Sequence, residues 1–145
     1  FANYTYLDSE ILDANENFPV EHRFSQQPDY VYNVGFDHLI EPWGFTWGAS
    51  YQKRGEAEEW TTQSAETKLV RTINYDGNLE VFLEKTLAER YVIRLAGQNL
   101  LDARLDEVER AYESLEQLQN NTPVSARFLR EESDPSVILT FRGTF

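Results

Sequence analysis

Val137-Ile138-Leu139-Thr140-Phe141-Arg142-Gly143-Thr144-Phe145 is an alternating stretch that runs to the last residue of the sequence. Val137, Leu139, Phe141 and Phe145 share one parity, with Gly143 as a gap, while Thr140, Arg142 and Thr144 share the other, with Ile138 as the exception. Successive side chains of a strand point to opposite faces, so this stretch carries an apolar face and a mostly polar one. A strand that closes a bacterial outer-membrane barrel and faces lipid has such a pattern. The fold expected from it is all-β: an antiparallel, up-and-down transmembrane β-barrel segment of about eight strands.

Working outward, the same alternation recurs. Tyr30, Tyr32, Val34, Phe36 and Ile40 oppose Asn33, Gly35 and Asp37; Phe45, Trp47, Ala49 and Tyr51 oppose Thr46, Gly48, Ser50 and Gln52. Glu41-Pro42-Trp43-Gly44 joins these two runs as a tight turn. Leu79, Val81, Leu83 and Leu87 oppose Glu80, Glu84 and Thr86, with Phe82 among the polar set. Strands are expected over 1–8, 29–40, 44–53, 66–75, 78–87, 90–99, 123–131 and 137–145, with Asp76-Gly77 as a hairpin turn and long polar loops at 9–28 and 54–65. The short connections at 41–44 and 75–78 then fall at one end and the long loops at the other, an asymmetry typical of outer-membrane barrels.

One segment departs from this period. Leu101, Leu105, Val108, Tyr112, Leu115 and Leu118 recur at helical spacing, and Asp106 and Arg110 stand one helical turn apart. The spacing predicts a helix over 102–118, covering an open barrel end or a core.

The chain has 145 residues with 14% aromatics, a formal net charge of -12 and no cysteine. Its length suffices for one domain with a core. The acidic balance disfavours nucleic acid, and the lack of cysteine removes disulfides and thiolate chemistry. No run reaches the about 18 apolar residues of a membrane helix, which leaves strands as the only crossing element. The sequence starts at Phe1 in what reads as the middle of a strand, so a processed chain or a fragment is expected.

In the barrel reading one face meets lipid and the other a polar interior. Tyr30, Tyr32, Trp43, Phe45, Trp47, Tyr51, Tyr91, Phe141 and Phe145 are assigned to the lipid face and its aromatic girdle. Asn33, Asp37, Glu80, Glu84, Arg94, Gln98, Arg127 and Arg142 are assigned to the interior, where mixed signs suit a polar network. A water-bathed antiparallel sheet with one wet face alternates in the same way and stands as the other reading.

No catalytic or metal motif emerges, and no enzyme and no cofactor is expected. His22 and His38 lack a partner at ligand spacing. Glu80 and Glu84 share a strand face at about 13 Å, too far apart for the usual glycosidase pair. Glu56, Glu58, Glu59 and Glu66 read as a solvated acidic loop.

Several stretches, taken in order, resemble the C-terminal part of the barrel of a TonB-dependent outer-membrane receptor. They are Tyr4-Thr5-Tyr6-Leu7-Asp8-Ser9-Glu10, Gln27-Pro28-Asp29-Tyr30-Val31-Tyr32-Asn33-Val34-Gly35, Trp47-Gly48-Ala49-Ser50-Tyr51, Asn78-Leu79-Glu80-Val81-Phe82, Asn99-Leu100-Leu101-Asp102 and the strand 137–145. The resemblance implies part of a barrel of about 22 strands around a plug, with the plug itself absent from this chain. It implies active uptake of a siderophore, haem, cobalamin or saccharide across the outer membrane of a Gram-negative bacterium. Outer-membrane lipid, the plug and preceding strands, a TonB-type energy-transducing complex and the barrel-assembly machinery would be partners. The assembly signal would lie on Leu139, Phe141 and Phe145. The insertion after Asp102 departs from the shorter turn common in that family. Two further readings stay open: a self-contained eight-stranded outer-membrane structural or adhesion barrel, and a water-soluble β-barrel ligand-binding module.

Overall fold

The computed structural model describes residues 1–13, 15–88 and 90–143; the expected roles of Thr144 and Phe145 lie outside the described residues. In chain order the elements are β1 (Ala2–Tyr6), β2 (Ile11–Leu12), β3 (Glu21–His22), β4 (Tyr30–Ile40), β5 (Phe45–Arg54), β6 (Ala57–Ser64), β7 (Thr67–Tyr75), β8 (Asn78–Leu87), β9 (Tyr91–Gln98), β10 (Arg104–Tyr112), α1 (Leu115–Gln119), β11 (Ser125–Glu132) and β12 (Ser136–Gly143). They form a six-stranded sheet in the order β1-β4-β5-β8-β9-β12, a four-stranded sheet in the order β11-β10-β7-β6, and the small pair β2-β3.

The larger two sheets are linked by a simple relation. Each strand of the four-stranded sheet is the chain continuation of one in the larger sheet: β5 runs into β6, β7 into β8, β9 into β10 and β11 into β12. The breaks fall where the backbone cannot stay pleated. Asn99 and Asp102 adopt φ of 53°, and the Asn99 side chain accepts from the Ala103 amide at 2.8 Å. Asp76 donates its amide to the Arg104 carbonyl at 2.9 Å, so both crossings are stitched together. Between β4 and β5, Pro42 starts a 3-10 turn and Gly44 ends it at φ 59°, a left-handed conformation that glycine adopts without strain.

The expected closed barrel does not form among the described residues. β1 and β12 stand at opposite edges of the six-stranded sheet instead of pairing, and the strands divide into three open sheets. The transmembrane barrel segment and the self-contained eight-stranded barrel are corrected by this division of the strands into open sheets.

Three local expectations are also corrected. Residues 104–112 are strand, not helix: β10 is paired on both sides, with β7 and with β11. Its charges find cross-strand partners, Asp106 with Arg130 at 2.7 Å and Glu109 with Arg71 at 3.0 Å, rather than the one-turn pair Asp106–Arg110. Helix survives only at Leu115–Gln119, where Ser114 caps it by accepting from the Gln117 amide at 3.2 Å. Residues 57–64 are strand β6 rather than acidic loop, with Glu59 paired to Arg71 at 3.2 Å. Asp76-Gly77 is not a hairpin turn, because β7 and β8 belong to different sheets.

A small core lies on one face of the four-stranded sheet. Phe18, 1% exposed, packs with Val70 and Tyr112, and Trp60 and Leu118 close around them. The 7–29 connection brings Phe18 there by running along β6: Gln26 donates to the Glu58 carbonyl at 2.7 Å and Asp29 to the Glu56 carbonyl at 3.2 Å. Its tip is tied by Asn17, whose side-chain amide donates to the Ala65 carbonyl at 2.6 Å.

Candidate interaction site

Directly paired residues of antiparallel strands share a face, so the register builds the two surfaces of the six-stranded sheet row by row. One face holds the rows Phe36-Ala49-Val81-Gly97-Val137, His38-Trp47-Leu83-Leu95-Leu139 and Ile40-Phe45-Lys85-Ile93-Phe141. Tyr4, Tyr32 and Tyr51 extend it towards β1. Val34, Phe36, Leu39, Trp47, Val81, Leu83, Leu95, Val137, Leu139 and Phe141 are all exposed; of these, Leu39 lies on the other face. Among the described residues, only Lys53 and Lys85 bring formal charge to the apolar face, and no carboxylate stands on it. Lys85 is itself engaged, donating to the Trp43 carbonyl with its ammonium 4.4 Å over the Phe45 ring.

With strands about 4.8 Å apart and residues rising about 3.3 Å each, this face spans on the order of 700 Å². Ordinary surface patches on monomers reach about 300–600 Å². No described segment covers it; the 7–29 connection packs on the four-stranded sheet. Aromatic contacts set the rings: Phe36 meets Trp47 edge-on at 4.9 Å, and Tyr91 stacks on Phe141 at 5.7 Å. Tyr30, Tyr32 and Tyr51 form a chain of neighbouring rings, and the hydrogen bond with Tyr51 raises the Tyr32 hydroxyl pKa.

The opposite face satisfies itself. Arg94 is 3.3 Å from Glu80 and 3.7 Å from Glu84, and Arg142 is 3.5 Å from Glu84. The Arg94 guanidinium also lies 3.9 Å from the Phe82 ring centre. Glu80, Glu84, Arg94 and Arg142, assigned to one polar interior, thus do meet, but on the face of an open sheet. Asn33 pairs with Asn3 at 3.0 Å, and Asp37 stands exposed in the row with Gly48. Gln98 lines a cleft of about 530 Å³ between the sheets, together with Asp76, Glu80, Arg104, Glu131 and Asp134. Arg127 belongs to the other sheet, opposite Glu109 on β10. Of the aromatic set, Trp43, Trp47 and Phe141 are exposed and Tyr30, Tyr32, Phe45, Tyr51 and Tyr91 half-buried.

A second cluster escaped sequence reasoning. Lys68, 2% exposed, donates to the Asp13 carboxylate and to the Thr62 hydroxyl, the latter at 3.1 Å. His22 stacks on Trp60 at 4.6 Å and sets Nε2 3.7 Å from the same carboxylate. Its Nδ1 is 2.7 Å from the Arg23 carbonyl, which assigns the hydrogen to Nδ1. Burial pushes the Asp13 carboxyl up, but the Lys68 hydrogen bond and the Asn15 amide outweigh it and hold it below the ordinary carboxylate range. His22 is therefore a packed residue rather than a free loop histidine. No signal in the sequence joins residues 13, 22 and 68, which only the path of the connection brings together. Among the described residues, no group of three or more His, Asp or Glu side chains is arranged to hold a metal ion.

Comparison with protein-family profiles, curated proteins and solved structures yields no match. The resemblance to a TonB-dependent receptor is corrected by that result together with the open sheets. What followed from it falls too: nutrient uptake, outer-membrane localisation, and as partners outer-membrane lipid, a plug and preceding strands, a TonB-type complex and the barrel-assembly machinery.

Proposed function

We propose that this chain is a non-catalytic interaction module that packs the apolar face of its six-stranded sheet against an apolar surface of another protein. The single observation behind this reading is the unbroken set of rows from Phe36 to Val137 and from Trp47 to Leu139, with every large apolar side chain in them exposed and no carboxylate among them, in a chain of formal net charge -12. Burial of such a face removes apolar area from water without desolvating an acid. Its extent approaches the about 800 Å² that each partner contributes to a standard protein interface.

The binding-module alternative is thereby kept, on an open sheet instead of a barrel interior. A small-molecule site is less well supported. Ligand pockets are mostly apolar with a few polar groups, whereas the inter-sheet cleft is walled by Asp76, Glu80, Glu131, Glu132 and Asp134. The non-catalytic reading is supported by the engagement of the titratable groups: Glu80 and Glu84 hold Arg94, and Asp13 holds Lys68.

The test is binding of the apolar dye anilinonaphthalene sulfonate to the purified chain, with near-ultraviolet circular dichroism as the check on folding. Strong enhancement is expected, falling several-fold in the double variant Leu83→Glu/Leu95→Glu. Absence of enhancement overturns the reading. So does co-sedimentation with phosphatidylglycerol vesicles that the double variant abolishes, which would assign the face to a lipid surface.

A further inference from the structure

The four outer edges of the two large sheets are not alike. β6 ends in a register shift between Thr62 and Ser64 and carries Glu58 and Glu59. β11 carries Arg127, Arg130, Glu131 and Glu132. Irregular pairing and charge are the usual means by which an edge is kept from recruiting another strand. β1 spans only Ala2–Tyr6. β12 is different. It pairs with β9 without interruption from Ser136 to Gly143, contains no proline or lysine, and is exposed from Ser136 through Arg142. Val137 and Leu139 are 72% and 70% exposed. Its one charge, Arg142, reaches back to Glu84.

The sequence of β12 is also self-complementary. Turn a second copy by a twofold axis through Leu139 and lay the two strands antiparallel. Leu139 then faces Leu139 of the other copy, Val137 faces Phe141, Ile138 faces Thr140 and Ser136 faces Arg142. Apolar side chains meet apolar ones, and the two arginines never meet. Arg142 arrives instead beside Ser136, two residues from Asp134, so the charges are complementary. A register moved by one residue would place Leu139 opposite Thr140 and break both faces, because the side-chain period of a strand is two.

We propose that two copies of this chain join edge to edge through β12, in the antiparallel register centred on Leu139. The contact is isologous, the commonest form of closed assembly. It rests on the reading of the apolar face as an interaction surface, since pairing in this register continues that face across both copies.

The chain has no cysteine, so single-cysteine variants report the register directly. Paired antiparallel residues lie about 4.5–5.5 Å apart at Cα, within disulfide range. On mild oxidation Leu139→Cys is expected to give a covalent dimer in high yield. Val137→Cys mixed with Phe141→Cys is expected to cross-link, and Val137→Cys alone is expected to stay at least ten-fold behind. Circular dichroism checks that each variant is folded. A folded Leu139→Cys that remains monomeric, or equal cross-linking at all positions, overturns the proposal. If that happens while dye binding and its loss in Leu83→Glu/Leu95→Glu persist, the edge contact is wrong and the apolar-face reading stands. Loss of both removes the face as well.

Discussion

Lys68 on β7 donates to the carboxylate of Asp13 in the 7–29 connection; the lysine is buried and the carboxylate half-buried, at 13% exposed. This pair fastens the connection that delivers Phe18 to the four-stranded sheet. Removing the cation leaves a largely buried carboxylate with only the Asn15 amide and His22 beside it. Lys68→Met is therefore expected to cost about 3 kcal/mol, read as a lower urea midpoint with an unchanged slope. An unchanged midpoint would show that the pair does not hold the connection.

The same pair predicts a pH dependence. The Asp13 carboxyl is lowered in the folded chain, as is that of Asp106 through its hydrogen bond from Arg130. A lowered folded pKa gives stability that is complete above the unfolded carboxyl value of about 3.9. It is lost as pH falls through the folded value. The urea midpoint is expected to hold at mildly acidic pH and to drop steeply below about pH 4. Asp13→Asn should start lower and fall less steeply; an identical fall would exclude Asp13 as a source.

Strand positions were legible where alternation is strict. Tyr30–Ile40, Phe45–Arg54 and Asn78–Leu87 stand close to the expected 29–40, 44–53 and 78–87. β10 was misread because Leu105, Val108 and Tyr112 satisfy a helical period by chance, while Glu107 and Glu109 find Arg71 only across the sheet. Pattern reports which residues share a face but not what lies against that face. The same alternation serves a barrel wall and an open sheet, and closure depends on whether β1 reaches β12, which no local signal encodes. The Asp13–Lys68 contact was invisible for a related reason: it spans a connection whose path is set by the packing of Phe18.

Phe82, an apolar ring on the polar face, has a geometric reason. Its ring lies against Gly48, where an added Cβ would come within 2.7 Å of the ring and would also strike the Phe36 carbonyl. Arg94 covers the ring. Gly48→Ala is thus expected to destabilise by about 1–3 kcal/mol through overpacking. Phe82→Leu in the same chain should recover part of that loss, since the backbone clash remains. Urea midpoints of the single and double variants give the coupling; simple additivity would refute the contact.

Arg94 holds Glu80 and Glu84 on a half-exposed surface, where screening limits the value of such pairs. Arg94→Met is expected to cost about 1 kcal/mol, and less at high salt. A much larger, salt-independent loss would mean that this network supports the sheet rather than decorating it.

Phe18 separates the part of the molecule that maintains stability from the part assigned to interaction. At 1% exposed it is the most deeply buried large side chain among the described residues, and it touches Val70, Tyr112, Trp60 and Leu118 rather than the apolar face of the larger sheet. Phe18→Ala is expected to cost about 3–5 kcal/mol. Since the two sheets share the chain crossings but not this core, the loss should be local. Amide exchange should quicken in β6, β7 and β10 well before it does in β4, β5 and β8, while dye binding to the apolar face stays near the parent value. Equal acceleration in both sheets would mean that they unfold as one cooperative unit, and the core around Phe18 would then support the interaction face as well.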